Sequence, residues 1–440
     1  MRKPPAPRGR HVPTGRFGRA ARLGGLTAGL LGGAAWQGAS HAARGKPLQA
    51  RDLMLTPGNA RRIARQLAGM RGAAMKLGQL LSMETGDMLP PEIAEPLARL
   101  RADADFMPPK QLKTVLARNY GPDFLKRFHK FDVSPIAAAS IGQVHRATAH
   151  DGRDMALKIQ YPGIRQSIDA DLANLGLLLR HSGLLPAGID LDQLLDEAGR
   201  QLHDEADYAR EARYMTRFGS LLAEDPGMAV PQHHPDFSTD DILAMSFMYS
   251  QPFEVLEAAD QATRDTAITR LFDLFLRELF DWQLMQTDPN LANYRWDPAE
   301  QRIVLLDFGA ARDVPDAHVS GLRALLTAAL DADLDGIGAA LEDLGFIGPA
   351  TPPPLRKAIL DLAAKALPII TQDSFDFADS AFAADLRDEA MALGRTIEQT
   401  EVPPVSLLLL QRKAAGLFLT AIRMRARVRV RDLVQGRIAR

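Results

Sequence analysis

Two short segments carry the residues of this chain best suited to phosphate chemistry. They are QTDPNLAN at residues 286–293 and LLDFG at residues 305–309. Asp288 and Asp307 lie nineteen residues apart, and Asn293 follows Asp288 by five. In magnesium-dependent phosphoryl transfer an Asp faces the acceptor, while an Asn five residues later and a second Asp hold metal. Either segment alone would fit a capped turn, so the residues upstream must decide between the two interpretations.

A lysine on a predicted strand supplies a third element of such a site. Residues 155–159 alternate apolar and polar side chains after an Asp151–Gly152 turn, the pattern of a hairpin strand. Lys158 on this strand is the candidate for pairing with phosphates. The alternative is an exposed strand lysine, because lysine is seldom buried without a partner.

The segment before this strand, residues 135–144, is named here the alanine loop. A protein kinase has a glycine-rich phosphate loop at this place, whereas this chain has Ala137, Ala138 and Ala139 followed by Ser140. Alanine methyl groups fill space and restrict φ to negative values, so the backbone approaches phosphates differently. We therefore expect this loop to hold nucleotide in its own way.

These segments together resemble the UbiB/AarF atypical kinase family, which supports ubiquinone biosynthesis. Two further motifs carry the resemblance: KLGQ at residues 76–79 in an N-terminal extension, and EAD at residues 205–207 upstream of Glu211. The resemblance covers about residues 55–435. The whole set in one order is far more specific than any single motif.

The resemblance implies a role for each candidate residue. Lys158 would pair with phosphates and Glu211 would position it, while Asp288 would orient or deprotonate the acceptor. Asn293 and Asp307 would bind Mg²⁺, and ATP or ADP is the expected nucleotide. The implied nucleotide-binding residues are Ala137, Ala138, Ala139, Ser140, Lys158, Met245, Asn293 and Asp307.

The extension is expected to cover the nucleotide cleft. Apolar side chains recur at helical spacing over residues 59–82, with Lys76 and Gln79 on another face. Glu205 and Glu211 would project about 120° apart on one helix through residues 203–214. Glu205, with Asp207, could thus face the extension and anchor Lys76 and Gln79. A solvated surface charge run is the alternative.

Length and composition predict the fold class. The 440 residues, 46% of them hydrophobic, allow a large core, and the absence of cysteine excludes disulfides and thiolate chemistry. We predict an α+β, bilobal protein-kinase-like fold with an N-terminal helical extension and a mainly helical C-lobe. The predicted divisions are a basic, glycine-rich leader or membrane-associating tail (1–50), the extension (51–130), the kinase-like N-lobe (131–250) and the helical C-lobe (251–440).

Charge is uneven along the chain although the net charge is only −1. Residues 1–51 hold ten Lys or Arg and no acidic residue, and residues 423–440 hold seven Arg against one Asp. Such ends suit an anionic lipid surface or a solvated tail. Residues 23–43 are uncharged but rich in glycine, so spanning a membrane, lying on it and avoiding it all stay open.

The C-terminal half departs from protein kinases. Helices are predicted over residues 264–285, with an apolar buried face, and from about residue 317, which leaves little room for an activation segment. Gln286 stands where the usual catalytic loop has histidine. Residues 242–248 are predicted as the strand before the hinge, where Ser246 and Ser250 depart from relatives, and the stretch 407–419 resembles the family's amphipathic C-terminal helices.

The predicted function is an atypical kinase or ATPase that binds Mg-ATP and supports ubiquinone biosynthesis. It would act on or with lipid or quinone intermediates at a membrane, with other biosynthetic proteins as further partners, no nucleic acid, and homodimer formation open. A catalytically inert nucleotide-binding scaffold and a true protein kinase are the alternatives. The expected location is cytoplasmic and peripheral at the inner membrane of a bacterium, or the matrix face of the mitochondrial inner membrane.

Overall fold

Local sequence signals set several helix boundaries in the computed structural model. The structure describes residues 72–74, 76–78, 106–182, 190–379, 381–382, 385–386, 388–389, 393 and 405–439. Asp190, Asp260 and Asp333 each cap a helix by accepting hydrogen bonds from N–H groups of its first turn. No helix within the described ranges combines the length and apolar character that a bilayer span requires. The leader, residues 23–43 and Gln79 lie outside these ranges.

The chain divides into two compact units. The first runs to Arg210 and resumes at His233–Phe247, and the second comprises Glu211–Gln232 and Met248–Arg440. The sequence-based boundaries put residues 211–232 in the N-lobe, whereas the structure clusters them with the second unit.

The first unit is built on an antiparallel sheet of five described strands in the order β1-β3-β4-β6, with β2 pairing with β3. Gly142 is required where β3 begins, because a Cβ there would lie 2.4 Å from the carbonyl oxygen of Ile159. The strands are β1 (Phe128–Phe131), β2 (Ala137–Ala138), β3 (Gly142–Ala149), β4 (Asp154–Gln160) and β6 (Ile242–Ser246).

Helices of the first unit bury apolar faces against this sheet and against one another. Helix α1 (Pro109–Tyr120) shares a core with the sheet. Helices α2 (Ile164–Ser182) and α3 (Leu191–Ala206) form a second core, which includes Ala73, Ala74 and Leu77 of the extension. The single helix predicted over residues 203–214 is wrong. Asp207, with φ −87° and ψ 85°, ends α3, and α4 (Tyr208–Leu221) then begins.

The second unit contains short sheets and all of the described helices beyond Met248. Its strands are β5 (Met228–Ala229), β7 (Gln251–Pro252), β8 (Leu284–Gln286), β9 (Tyr294–Asp297), β10 (Arg302–Leu305), β11 (Ala311–Asp313), β12 (Phe375–Asp376) and β13 (Arg427–Val428). Strands β5, β10, β9 and β7 neighbour one another in that order, β8 pairs with β11, and β12 pairs with β13. The helices are α5 (Gln261–Leu276), α6 (Asp316–Leu330), α7 (Leu334–Asp343), α8 (Pro353–Ala366), α9 (Pro368–Thr371), α10 (Val405–Met424) and α11 (Val430–Ile438).

Two expectations for the second unit need correction. The helix predicted over residues 264–285 ends as α5 at Leu276, because a π-helical turn follows and Gln283 takes a positive φ of 48° before β8. The arginine-rich C-terminus is a folded strand and helix rather than a solvated tail. Five of its described arginines pair with acidic residues of the same unit: Arg423 with Glu257, Arg427 with Asp376, Arg429 with Asp432, Arg431 with Asp373, and Arg437 with Asp273 and Asp281.

Candidate active site

Lys158 occupies the middle of the first unit's sheet. It lies on β4 opposite Val144 of β3 and Leu243 of β6, between the fully buried Leu157 and Ile159. The residue is 8% exposed, and Nζ lies 5.6 Å from the centre of the Tyr208 ring. The lysine is therefore held on a rigid strand in a largely desolvated setting, unlike the exposed strand lysine that was the alternative.

The alanine loop forms a tight hairpin. Ala137 and Ala138 make up β2 opposite Val144 and Gln143, and the N–H of Ala139 donates to the Gly142 carbonyl at 2.9 Å. Two residues then remain at the tip, Ser140 and Ile141. Ile141 is buried in the core that contains Ala73, Ala74 and Leu77, so the tip is packed against residues of the N-terminal extension.

Lys76, Glu205 and Ser140 form a polar group, named here the Lys76 cluster. Lys76 Nζ donates to Glu205 Oε1, and Ser140 Oγ donates to Glu205 Oε2 at 2.6 Å. The Lys76 and Glu205 side chains are 10% and 18% exposed. One carboxylate thus links the extension to the tip of the alanine loop. A charge-assisted bond of this kind is stronger than one between neutral groups.

Asp207 has a different position from the one expected. Within the described residues its carboxylate accepts from the backbone N–H of Arg210 at 2.9 Å and caps the start of α4, rather than bonding to Lys76.

Met245 is buried on β6 opposite Ala156. The two departures near it have local partners, since Ser246 Oγ meets His234 Nε2 at 3.2 Å and Ser250 Oγ accepts from Arg295 at 2.9 Å.

The second unit brings Asp288, Asn293 and Asp307 together. Asn293 Nδ2 donates to Asp288 Oδ2 at 3.1 Å, and the carbonyl of Asn293 accepts from the N–H of Leu306 at 3.1 Å, the residue before Asp307. Asp307 Oδ1 accepts from the N–H of Gly309 at 2.9 Å. The two segments found in the sequence are thus joined by backbone and side-chain bonds.

Strand pairing holds the two segments in register. Gln286 of β8 lies opposite Ala311 of β11, and both the N–H and the hydroxyl of Thr287 bond to the Ala310 carbonyl, at 3.3 and 2.9 Å. Beside them, Phe308 packs against Phe218 of α4 with ring centres 5.1 Å apart. The buried Glu211 lies in the first turn of the same helix. Lys158 and Glu211 belong to different units, and their pairing stays a prediction.

A second charged group borders the segment that carries Asp288 and Asn293. That segment, residues 286–294, is named here the Asp288 loop, and the Lys413 cluster consists of Lys413, Glu278, Gln286 and Tyr294. Lys413 Nζ donates to the Gln286 carbonyl at 2.8 Å, to Gln286 Oε1 at 3.3 Å and to the Tyr294 hydroxyl at 2.5 Å. Glu278 Oε2 lies 3.7 Å from Lys413 Nζ, and Glu278 Oε1 accepts from the Gln286 N–H at 3.4 Å.

Burial governs the protonation of this cluster. It raises the pKa of Glu278 to about 7, and the opposing effects of Lys413 and the Gln286 N–H offset only part of the shift. Burial also raises the pKa of Tyr294. For Lys413 burial acts against the charged form, but Glu278 and Tyr294 outweigh it and leave its pKa above the ordinary value.

Sequence reasoning did not assign the Lys413 cluster. Lys413 lies within the apolar stretch 407–419, and a lysine at a buried position of a helical period is the signal that could lead to the cluster. The separation of 127 residues between Lys413 and Gln286 hid the contact. Arg412 of the same helix lies 3.8 Å from Asp288 Oδ1 and was likewise not connected to it.

Comparisons with known proteins identify a family for this chain. A model described as the ABC1 atypical kinase-like domain matches residues 99–341. The chain belongs to this family. It is 38% identical to "Atypical kinase COQ8, mitochondrial" of Saccharomyces cerevisiae over 95% of this chain and 83% of the relative. It is 36% identical to "Atypical kinase COQ8B, mitochondrial" of Rattus norvegicus over 99% and 84%.

A solved structure adds support at the level of the fold. The Rv3197–erythromycin complex from Mycobacterium tuberculosis aligns with a TM-score of 0.61 and 25% identity, covering 86% of this chain and 95% of that one. Membership of the ABC1 family confirms the predicted α+β, protein-kinase-like fold and the enzyme class of atypical kinase or ATPase. The roles of individual residues stay predictions.

Proposed function

We propose that the protein binds Mg-ATP and either hydrolyses it or transfers its terminal phosphoryl group, in support of ubiquinone biosynthesis. The bonded arrangement of Asp288, Asn293 and Asp307 carries this proposal. Asp288 would orient or deprotonate the acceptor, as general base catalysis requires a group within hydrogen-bond reach. Membership of the family of COQ8 proteins supports the pathway.

The donor set fits magnesium. Mg²⁺ prefers oxygen ligands and is usually held by one or two carboxylates together with phosphates. Asn293 directs its amide nitrogen to Asp288, so its amide oxygen is the atom that can serve as a ligand beside the Asp307 carboxylate. When bound, the ion would neutralise charge on the phosphates. Asn293 and Asp307 are the residues proposed to hold it.

The first unit would contribute the phosphate-binding part. Lys158, on a rigid strand and largely desolvated, is proposed to pair with the phosphates, and Glu211 to position it. The hairpin of Ala137, Ala138, Ala139 and Ser140 would contact the nucleotide through a backbone whose shape is fixed by its ladder bonds. Met245 is proposed to line the adenine site.

A protein-kinase function is disfavoured by the segment after Asp307. Helix α6 begins at Asp316, so six residues, 310–315, separate it from Gly309 and occupy the place of an activation segment. Protein kinases use that segment to bind peptide. The scaffold alternative stays open, because nucleotide binding and phosphoryl transfer would use the same residues.

The proposed setting is a membrane that holds lipid or quinone intermediates. Relatives named mitochondrial support a mitochondrial location, for which we propose the matrix face of the inner membrane; the cytoplasmic side of a bacterial inner membrane is the other proposal. Other ubiquinone-biosynthesis proteins are proposed partners, nucleic acid is not, and homodimer formation remains open.

Single-turnover release of ADP separates an enzyme from a scaffold. ADP release would be measured with purified protein in excess over ATP and with saturating Mg²⁺, in the presence of neutral or anionic liposomes. Asp288→Asn serves as the control for contaminating ATPase. We expect release that requires Asp288 and increases with the anionic surface. Binding of Mg-ATP without Asp288-dependent release would identify a scaffold.

A further inference from the structure

Lys413 of α10 bonds to both ends of the Asp288 loop. Its ammonium group donates to the carbonyl and side chain of Gln286, the first residue of the loop, and to the hydroxyl of Tyr294, the last. An ammonium group has three donors, and all of these acceptors lie within 3.3 Å. Asp288 and Asn293 lie between the two points that Lys413 fixes.

The charge of Lys413 is balanced inside the protein. Glu278 lies 3.7 Å away, and the side chains of the two residues are 6% and 1% exposed. A buried ion pair is a poor way to gain stability, because apolar residues of similar volume often serve equally well or better. Glu278 also accepts from the N–H of Gln286, so the pair contacts the loop through both of its members.

Close packing keeps α10 in register with the loop. A Cβ on Gly416 would lie 2.4 Å from Pro289 Cβ, so this glycine permits an approach that alanine would prevent. Arg412, one residue before Lys413, lies 3.8 Å from Asp288. Residues 412, 413 and 416 are neighbours on one side of the helix, and each one meets the Asp288 loop.

We propose that Lys413 is a positioning residue, which holds Asp288 and Asn293 in the geometry needed for Mg-ATP turnover from a helix more than 100 residues further along the chain. The inference rests on the proposed function for the chemistry it serves. Its structural part, the fixation of the loop, holds with or without nucleotide. Glu278, when ionised, supplies a counter-charge to the buried ammonium group of Lys413.

The test separates fixation of the loop from overall stability. Lys413→Met leaves Glu278 buried without its cation, and that variant should be destabilised or fail to fold. The double variant Lys413→Met with Glu278→Leu removes both charges at similar volume and should recover stability towards urea. We expect its single-turnover rate to stay about 100-fold below that of the wild type, because small displacements of reacting groups carry losses of this size. Lys357→Met, at an exposed lysine of α8, is the matched control and should change neither property.

Hydrogen exchange keeps the inference testable apart from the proposed function. In the absence of nucleotide, amides of residues 286–294 should exchange faster in the double variant than in the wild type, while amides of β4 should not change. Recovery of wild-type turnover together with stability would overturn the proposal, as would unchanged exchange in the loop. A wild-type protein that neither binds nor turns over Mg-ATP would instead reject the proposed function and leave the exchange comparison to decide the role of Lys413.

Discussion

The Lys76 cluster and the Lys413 cluster, in two regions of the molecule, each connect a loop to a distant part of the chain through a lysine and a glutamate. In each one, a lysine pairs with a glutamate, and the pair bonds to a loop proposed to handle phosphate or metal. Glu205 bonds to Ser140 of the alanine loop and lies 129 residues from Lys76, and Lys413 bonds to Gln286 of the Asp288 loop, 127 residues away. The first pair is 10% and 18% exposed, the second 6% and 1%. Solvent can therefore take over the bonds of the first cluster more easily than those of the second.

That difference suits two kinds of task. A partly exposed pair has a smaller desolvation penalty and can open at moderate cost, so the Lys76 cluster could release the tip of the alanine loop. A buried pair cannot open without leaving an uncompensated charge. The Lys413 cluster is therefore suited to permanent fixation of the Asp288 loop. The Lys76 cluster is suited to control of the tip of the alanine loop, which it can hold or release.

The proposed metal site adjoins the buried cluster, so the largest effect should come from there. Asp307→Asn should weaken Mg²⁺-dependent nucleotide binding more than about 100-fold, since loss of an outer contact to a metal ligand already costs roughly 10–100-fold. Asp288→Asn should spare binding and lose turnover, because Asp288 is proposed to act on the acceptor. Thermal shift with Mg-ATP reports binding, and a shift that survives in the Asp307 variant would reject the assignment.

The buried cluster should also give stability a dependence on pH. The pKa of Glu278 is about 7 in the folded protein, against 4.5 as its ordinary value. Between these values the folded protein holds a proton that the unfolded chain has released. The stabilisation that this proton gives the folded state is thus complete below about pH 4.5 and is lost as pH rises to about 7.

The free energy of unfolding should therefore fall with pH in this window, and substitution of Glu278 should remove that dependence. Relative to Glu278→Gln, the wild-type free energy of unfolding should fall by up to about 1.4 kcal/mol per pH unit in that window, about 3 kcal/mol in all. Urea denaturation at several pH values measures it. Glu300→Gln, at an exposed site, should retain the slope, and equal profiles for wild type and Glu278→Gln would contradict the prediction.

The partly exposed cluster should couple more weakly. A double-mutant cycle of Lys76→Ala and Glu205→Ala should give a coupling free energy of about 1–3 kcal/mol in chemical denaturation, between the values for solvated and fully buried pairs. Lys357 and Asp361, an exposed pair four residues apart on α8, provide the control, with about 0.5 kcal/mol or less expected. Equal coupling in both pairs would mean that Lys76 does not anchor the extension.

Motif order made one cluster accessible to sequence reasoning and left the other hidden. Lys76 and Glu205 stand within recognisable motifs, as do Lys158, Asp288, Asn293 and Asp307, so their identities could be predicted together with the kinase-like fold. Lys413 lies in an ordinary amphipathic pattern. Its contact with Gln286 depends on how α10 folds back within the second unit, which no local pattern encodes.

Local backbone changes account for the errors in element boundaries. Helical periodicity continues through residues 203–214, yet the carboxylate of Asp207 competes for backbone N–H groups and divides the segment into α3 and α4. Likewise, the apolar spacing after residue 264 runs past the π-helical turn that ends α5. Arginines near the C-terminus were expected to meet solvent or lipid, because their acidic partners, such as Asp273 and Glu257, are distant in sequence.

The smallest effect should come from the tip of the alanine loop. Ala139→Gly removes a methyl group and frees φ at a residue whose N–H closes the hairpin onto Gly142. We expect a change of about two- to fivefold in the ratio of ATP to ADP affinity, equivalent to roughly 0.4–1 kcal/mol, measured by titration calorimetry with each nucleotide. The change should shrink when Glu205→Ala has already released Ser140, because the hairpin tip then lacks its anchor. Ala262→Gly, at an exposed position of α5, controls for the loss of a methyl group elsewhere. If the ratio is the same with and without Ala139→Gly, the alanines serve only to pack the turn, and the Lys76 cluster would control no nucleotide contact through this loop.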